Sequence, residues 1–100
     1  MKTIWRSSVF DKWLDALKDV RGKASILVRI KRLAAGNPGD ARPVGNGISE
    51  LRFFFGPGYR VYYKDTGREL ILLLCGGNKS TQEEDIARAK EIADTYGEKE

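Results

Sequence analysis

The feature that most constrains the fold is a change of hydrophobic period near Ile48, from the helical spacing of the first third of the chain to strict alternation. Leu51, Phe53 and Phe55 alternate with Glu50, Arg52 and Phe54; beyond Gly56-Pro57-Gly58, Tyr59, Val61 and Tyr63 alternate with Arg60, Tyr62 and Lys64. A period of two places every second side chain on the same face of a strand, so Glu50–Lys64 is predicted as a β-hairpin with one core face. Directly opposed residues share a face, and a one-residue slip would set arginines against phenylalanines. A three-residue loop, Gly56–Gly58, satisfies this. It pairs Phe55 with Tyr59, Phe53 with Val61 and Leu51 with Tyr63 on the core face. On the other face it pairs Phe54 with Arg60, Arg52 with Tyr62 and Glu50 with Lys64.

The remaining elements are read around this hairpin. Thr3, Ile4 and Trp5 within Met1–Arg6 have the β propensity of a short edge strand. Val9, Phe10, Trp13, Leu14, Leu17 and Val20 recur at helical spacing, with Ser8 as N-cap and Gly22 as stop. A second helix is expected over Lys23–Ala35, where Leu27, Ile30 and Ala34 form a stripe widened by Ile26 and Leu33, and Gly36 ends it. The short Arg21–Lys23 link makes the two an αα-hairpin. Gly36–Gly47 is dense in turn formers and is predicted as a loop, with room for a short strand around Arg42–Val44. Asp65–Arg68 supplies another turn, and Glu69–Cys75 is a continuous apolar run suited to a central strand. A last helix is expected over Ser80–Tyr96, with Ser80 and Glu83 as a capping box, Ile86, Ala89, Ala93 and Tyr96 as its buried stripe and Gly97 as its stop. The order strand, two helices, three or four antiparallel strands, helix predicts an α+β fold, a sheet layered against helices.

A chain of 100 residues with 41% hydrophobic content can bury one core, so residues 1–100 are expected to form a single domain. The longest apolar runs are too short to span a bilayer, and Met1–Arg6 is followed by nothing resembling a signal peptide. Cys75 is the sole cysteine, which excludes an internal disulfide and suits a reducing cytoplasm. The net charge is +4, but it is unevenly spread. Met1–Lys64 carries 13 basic and 5 acidic residues, whereas Asp65–Glu100 carries 5 and 9. Such a balance points to a polyanionic partner contacted mainly by the first two thirds of the chain.

The chain has no histidine, which removes the commonest general base and the commonest metal ligand together. The acids Glu83, Glu84 and Asp85 are explained by the positive end of the last helix, so no metal site is expected. Gly76-Gly77-Asn78-Lys79-Ser80 lacks the spacing of a phosphate loop, and no cofactor is expected. What remains is a set of cations and phenols that can converge: Arg52, Arg60, Tyr62 and Lys64 from the hairpin, with Lys79 at the mouth of the last strand. Arginine forks match phosphate oxygens, and fixed cations can stabilise charge building on phosphorus during attack by a ribose 2′-OH without a metal. That chemistry wants a base near pH 7, whereas Lys and Tyr start near 10. Lys79 and Tyr62 are both candidates, and the pattern does not choose between them. Phe54, an aromatic among arginines, has the character of a base-stacking side chain. The helical cations Lys23, Arg29, Lys31 and Arg32 read as a solvated face able to grip phosphates away from the reacting centre.

Arg32–Asp40 (RLAAGNPGD), Gly47–Tyr63 (GISELRFFFGPGYRVYY), Leu72–Gln82 (LLLCGGNKSTQ) and Glu84–Lys90 (EDIARAK) together resemble the addiction module killer branch of the RelE/ParE toxin superfamily, close to HigB-type toxins. The resemblance runs in order over nearly the whole chain. It implies a small RelE-like fold, an antiparallel sheet with two N-terminal helices and one C-terminal helix. It also implies the toxin of a type II toxin–antitoxin system, an mRNA interferase that cleaves mRNA on the ribosome. Its implied partner is a co-encoded helix-turn-helix antitoxin, through which alone operator DNA would be met. By position, the resemblance assigns RNA binding and transition-state stabilisation to Arg52, Arg60 and Lys79. Several relatives also use a histidine or a C-terminal tyrosine, and this chain lacks the one and places Tyr96 deep in its last helix. Two other outcomes are compatible with the superfamily: a non-enzymatic, ParE-like inhibitor of DNA gyrase, and a module that only binds its antitoxin and regulates their operon.

Overall fold

A computed structural model describes the backbone of residues 1–99 and the side chains of residues 1–96. Its centre is a five-stranded mixed sheet in the order β1-β5-β4-β3-β2, built from β1 (Thr3–Arg6), β2 (Ala41–Gly45), β3 (Ile48–Arg52), β4 (Tyr59–Asp65) and β5 (Leu70–Asn78). Strands β2 to β5 pair antiparallel in succession. The edge strand β1 does not: it pairs parallel with β5, Thr3 opposite Leu70 through Arg6 opposite Leu73, which corrects the expectation of an antiparallel sheet. Strand β2 is a full edge strand, with a register shift between Pro43 and Gly45, as expected of a proline in a strand.

Helices α1 (Ser8–Ala16) and α2 (Val20–Ala34) cover one face of the sheet, and α3 (Gln82–Lys99) covers the other. The first interface contains Phe10, Leu14, Ile26, Ile30, Leu33, Leu51, Phe53, Val61, Ile71 and Leu73; the second contains Ile48, Tyr62, Leu72, Leu74, Ala89 and Ala93. Alternate residues of the strands therefore feed opposite cores, except where the β4–β5 register shifts and Leu74 and Cys75 share one. Each fully buried Leu, Ile or Phe contributes about 1.5–3 kcal/mol, and both faces of the sheet gain it. No helix among the described residues is long and apolar enough to cross a membrane.

Several boundaries differ from the sequence expectation for identifiable reasons. Ser7, not Ser8, caps α1, its hydroxyl accepting from the Phe10 N–H while donating to the Leu74 carbonyl. Gly22 does not stop a helix. It lies in the first turn of α2, where Asp19 accepts its N–H at 2.9 Å, and a Cβ there would come within 2.8 Å of the Tyr59 ring. The glycine is a point of close approach. Strand β5 runs three residues past Cys75 through Gly76 and Gly77, whose missing side chains make room for Trp13 on one face and Asp85 on the other. A short 3₁₀ turn, Lys79–Thr81, then leads into α3, and Asn78 rather than Ser80 caps it, accepting from the Ser80 N–H at 2.9 Å while Thr81 Oγ1 accepts from the Asn78 N–H at 3.2 Å. Helix α3 continues through Gly97 to Lys99 instead of ending there.

The hairpin forms, but two residues out of the predicted register. Leu51 faces Val61, Arg52 faces Arg60 and Glu50 faces Tyr62, while Lys64 lies opposite Ile48. A shift of two leaves every side chain on its predicted face, so alternation alone could not distinguish the registers. The loop settles the matter. Phe53 N–H donates to the Tyr59 carbonyl at 3.1 Å, and Gly58 N–H to the Phe55 carbonyl at 3.1 Å, so Phe54–Gly58 forms a five-residue connection. Gly56 and Gly58 adopt φ of +56° and +75°, conformations that side chains with a Cβ disfavour.

Candidate functional site

The observed register brings Arg52 and Arg60 directly opposite one another across β3 and β4, with Cα atoms about 5 Å apart. Like charges directly opposed are destabilising in a sheet, so the pair needs compensation. Lys79 stands at the end of β5 beside the same loop: a Cβ on Gly58 would lie 3.3 Å from its Cβ. Arg52, Phe54, Gly58, Arg60 and Lys79 thus line one cleft of about 330 Å³. Arg52, Arg60, Lys79 and Phe54 are brought together as the sequence reading grouped them.

Their environments differ sharply. Lys79 is exposed, Arg52 is half-buried with its guanidinium 5.3 Å from the Phe54 ring centroid, and Phe54 is open to solvent. Arg60 is only 6% exposed. Its Nη1 donates to the Gly58 and Tyr59 carbonyls at 3.2 Å and reaches Phe53 O at 3.5 Å, which ties the loop down. The Nε atoms of both arginines are buried without a hydrogen-bond partner. An unsatisfied buried donor is costly, and more so when charged, so the buried arginine heads need a nearby counter-charge.

Glu50 supplies part of the compensation. The hairpin pattern placed it on the face away from the predicted core, opposite Lys64; it is nonetheless only 2% exposed, with Oε2 4.0 Å from Arg60 Nε. Its two carboxylate oxygens accept from Gln82 Nε2 at 3.2 and 3.0 Å. Because α1 and α2 occupy one face of the sheet, α3 must take the other, and this is what buries Glu50. The only signal for it was the apolar stripe of α3, which needed a sheet face of its own.

Other predicted site residues lie elsewhere. Tyr62 is fully buried beneath α3, its hydroxyl unpartnered, and burial together with the nearby Glu50 and Asp85 pushes its acidity well below that of a free phenol. It is therefore not an accessible base, which corrects its assignment to the catalytic set. Lys64 sits four residues along β4 from Arg60, about 13 Å away by strand rise, outside the cleft. Lys23, Lys31 and Arg32 belong to α2 on the opposite face of the sheet, with Arg32 lining a separate depression of about 430 Å³. Arg29, read as part of a solvated face, is a clamp. It donates to the carbonyls of Arg52, Pro38 and Asp40 at 3.0–3.3 Å and stacks on Phe53 at 4.6 Å. Of the acids that open α3, Asp85 turns inward to accept from the Thr81 hydroxyl, whereas Glu83 and Glu84 are exposed.

An uncharacterized protein of Haemophilus influenzae (strain Rd) is 54% identical to this chain over 88 residues, spanning 88% of this chain and 89% of the relative. No protein-family model matches the chain, and no solved structure does.

Proposed function

We propose that this chain, which belongs to the same family as the Haemophilus influenzae protein, is the toxin of a type II toxin–antitoxin system that cleaves mRNA on the ribosome. The observation that carries the reading is the opposed pair Arg52 and Arg60, completed by Lys79 around one cleft. Three converging cations are suited to a phosphodiester and to the charge that develops on it. In this mechanism the ribose 2′-OH gives up its proton and attacks the adjacent phosphorus, the P–O5′ bond breaks as the 5′-oxygen takes up a proton, and a 2′,3′-cyclic phosphate and a 5′-hydroxyl form with no metal required. Arg52 and Lys79 reach the phosphate from solvent as cations, and Arg60 supports it from within the sheet. The motif resemblance to HigB-like toxins of the RelE/ParE superfamily supports the same reading, including a RelE-like arrangement, a cytoplasmic location and a helix-turn-helix antitoxin as partner.

The burial of Tyr62 favours a second reading, a ParE-like inhibitor that binds DNA gyrase and performs no chemistry, because it removes one of the two proposed bases. Induced expression of the chain alone, followed by primer extension on abundant mRNAs, separates the two. Discrete new mRNA ends are expected. DNA damage with intact mRNA would establish the gyrase reading, and undisturbed growth would leave only antitoxin binding and operon regulation.

A further inference from the structure

Phe54 is 77% exposed, an expensive place for a large aromatic ring, yet the loop that displays it is firmly held. The next residue, Phe55, turns against Phe53 and Tyr59 with ring centroids 6.0 Å from each. Arg60 Nη1 binds the carbonyls on both sides of the loop, and the Gly58 N–H closes a turn onto Phe55. A ring presented by a fixed loop loses little freedom when something stacks on it, so its contact energy is not spent on ordering. The Arg52 guanidinium lies over Phe54 at 5.3 Å, and the exposure of the ring leaves it open to a second planar group.

We propose that Phe54 is the platform of a base subsite: it stacks one unpaired nucleobase next to the phosphate gripped by Arg52, Arg60 and Lys79. This rests on the RNA reading above and assigns the residue that senses a single strand. In a duplex each base face is covered by its neighbours, whereas a single strand can splay a base onto an aromatic ring. Stacking is indifferent to base identity, because every base has a π-face, so the subsite selects strandedness and not sequence. Arg52 serves both halves, bracing the ring and reaching the phosphate.

The test is fluorescence anisotropy at low salt with three labelled probes: a 2′-O-methyl adenosine hexanucleotide, in which the attacking hydroxyl is blocked, an abasic strand of the same length, and a blunt RNA duplex. Wild type should bind the hexanucleotide about tenfold more tightly than the abasic strand or the duplex. Phe54→Ala should erase that preference while leaving abasic binding unchanged, Phe54→Trp should keep it, and Lys79→Ala should weaken all three alike. If Phe54→Ala binds the hexanucleotide as wild type does while Lys79→Ala weakens it, the base subsite is wrong, the phosphate reading stands, and the ring is left as a protein contact. If wild type binds neither single strand, the RNA reading fails and the subsite with it.

Discussion

At the scale of single residues, the charged groups of the hairpin divide into those that solvent reaches and those that brace them. Glu50 and Arg60 form a buried pair, and removing one partner strands the other. Glu50→Ala is expected to cost about 3 kcal/mol in urea unfolding, much more than an exposed ion pair such as Lys2 with Asp65. Tyr62 behaves in the opposite way. Its hydroxyl is buried without a partner, so Tyr62→Phe removes an unsatisfied group and nothing else. The variant should melt at or above the wild-type temperature and, with Tyr62 outside the cleft, should cleave mRNA as wild type does. A lost activity at unchanged stability would return Tyr62 to the catalytic set. The sequence made Arg52, Arg60, Phe54 and Lys79 legible because alternation fixes the face of each strand residue. It could not rank their exposure, since that depends on which helix lies over the face.

At the scale of elements, the close approaches across β5 decide where the helices sit. A Cβ on Gly77 would fall 1.8 Å from Asp85 Oδ2, so Gly77→Ala should displace the start of α3 and cost about 1–3 kcal/mol. Because Lys79 stands at that junction, RNA binding should weaken with it, which a binding titration beside a melting curve would show. These glycines also explain the misjudged boundaries. Gly76, Gly77 and Gly22 read as interruptions, but each marks a place where another element approaches the backbone, and nothing local separates the two meanings. Most of the core stripe of each helix and the faces of the hairpin were legible, because burial imposes their periods; Val20 and Leu27, read into the stripes of the first two helices, are instead exposed. The two-residue register shift, the parallel pairing of β1 and the clamp role of Arg29 were not legible, because each is set by residues distant in the chain.

At the scale of the whole molecule, sandwiching the sheet between helices on both faces sequesters its weak acids. Burial, reinforced by Asp85, pushes the Cys75 thiol up from 9.0 to about 12, and burial also raises Tyr59, Tyr62 and Tyr63 above the usual 10.0. In each case the folded state keeps a proton that the unfolded chain releases, so stability is fully present below pH 9 and declines as pH rises through the interval between unfolded and folded values. The urea midpoint should fall progressively above pH 9, and a midpoint constant to pH 11 would contradict this burial. The two covered faces also leave the open end of the β3–β4 hairpin, beside the start of α3, as the place where Arg52, Arg60 and Lys79 gather. The claim that this cleft cuts RNA is tested most directly by primer extension on mRNA from cells expressing wild type, Arg52→Ala or Lys79→Ala, with the melting temperature of each purified variant measured alongside. Cuts that disappear in both variants while melting stays within a few degrees of wild type are the predicted result; cuts that persist in correctly folded Arg52→Ala and Lys79→Ala would contradict it.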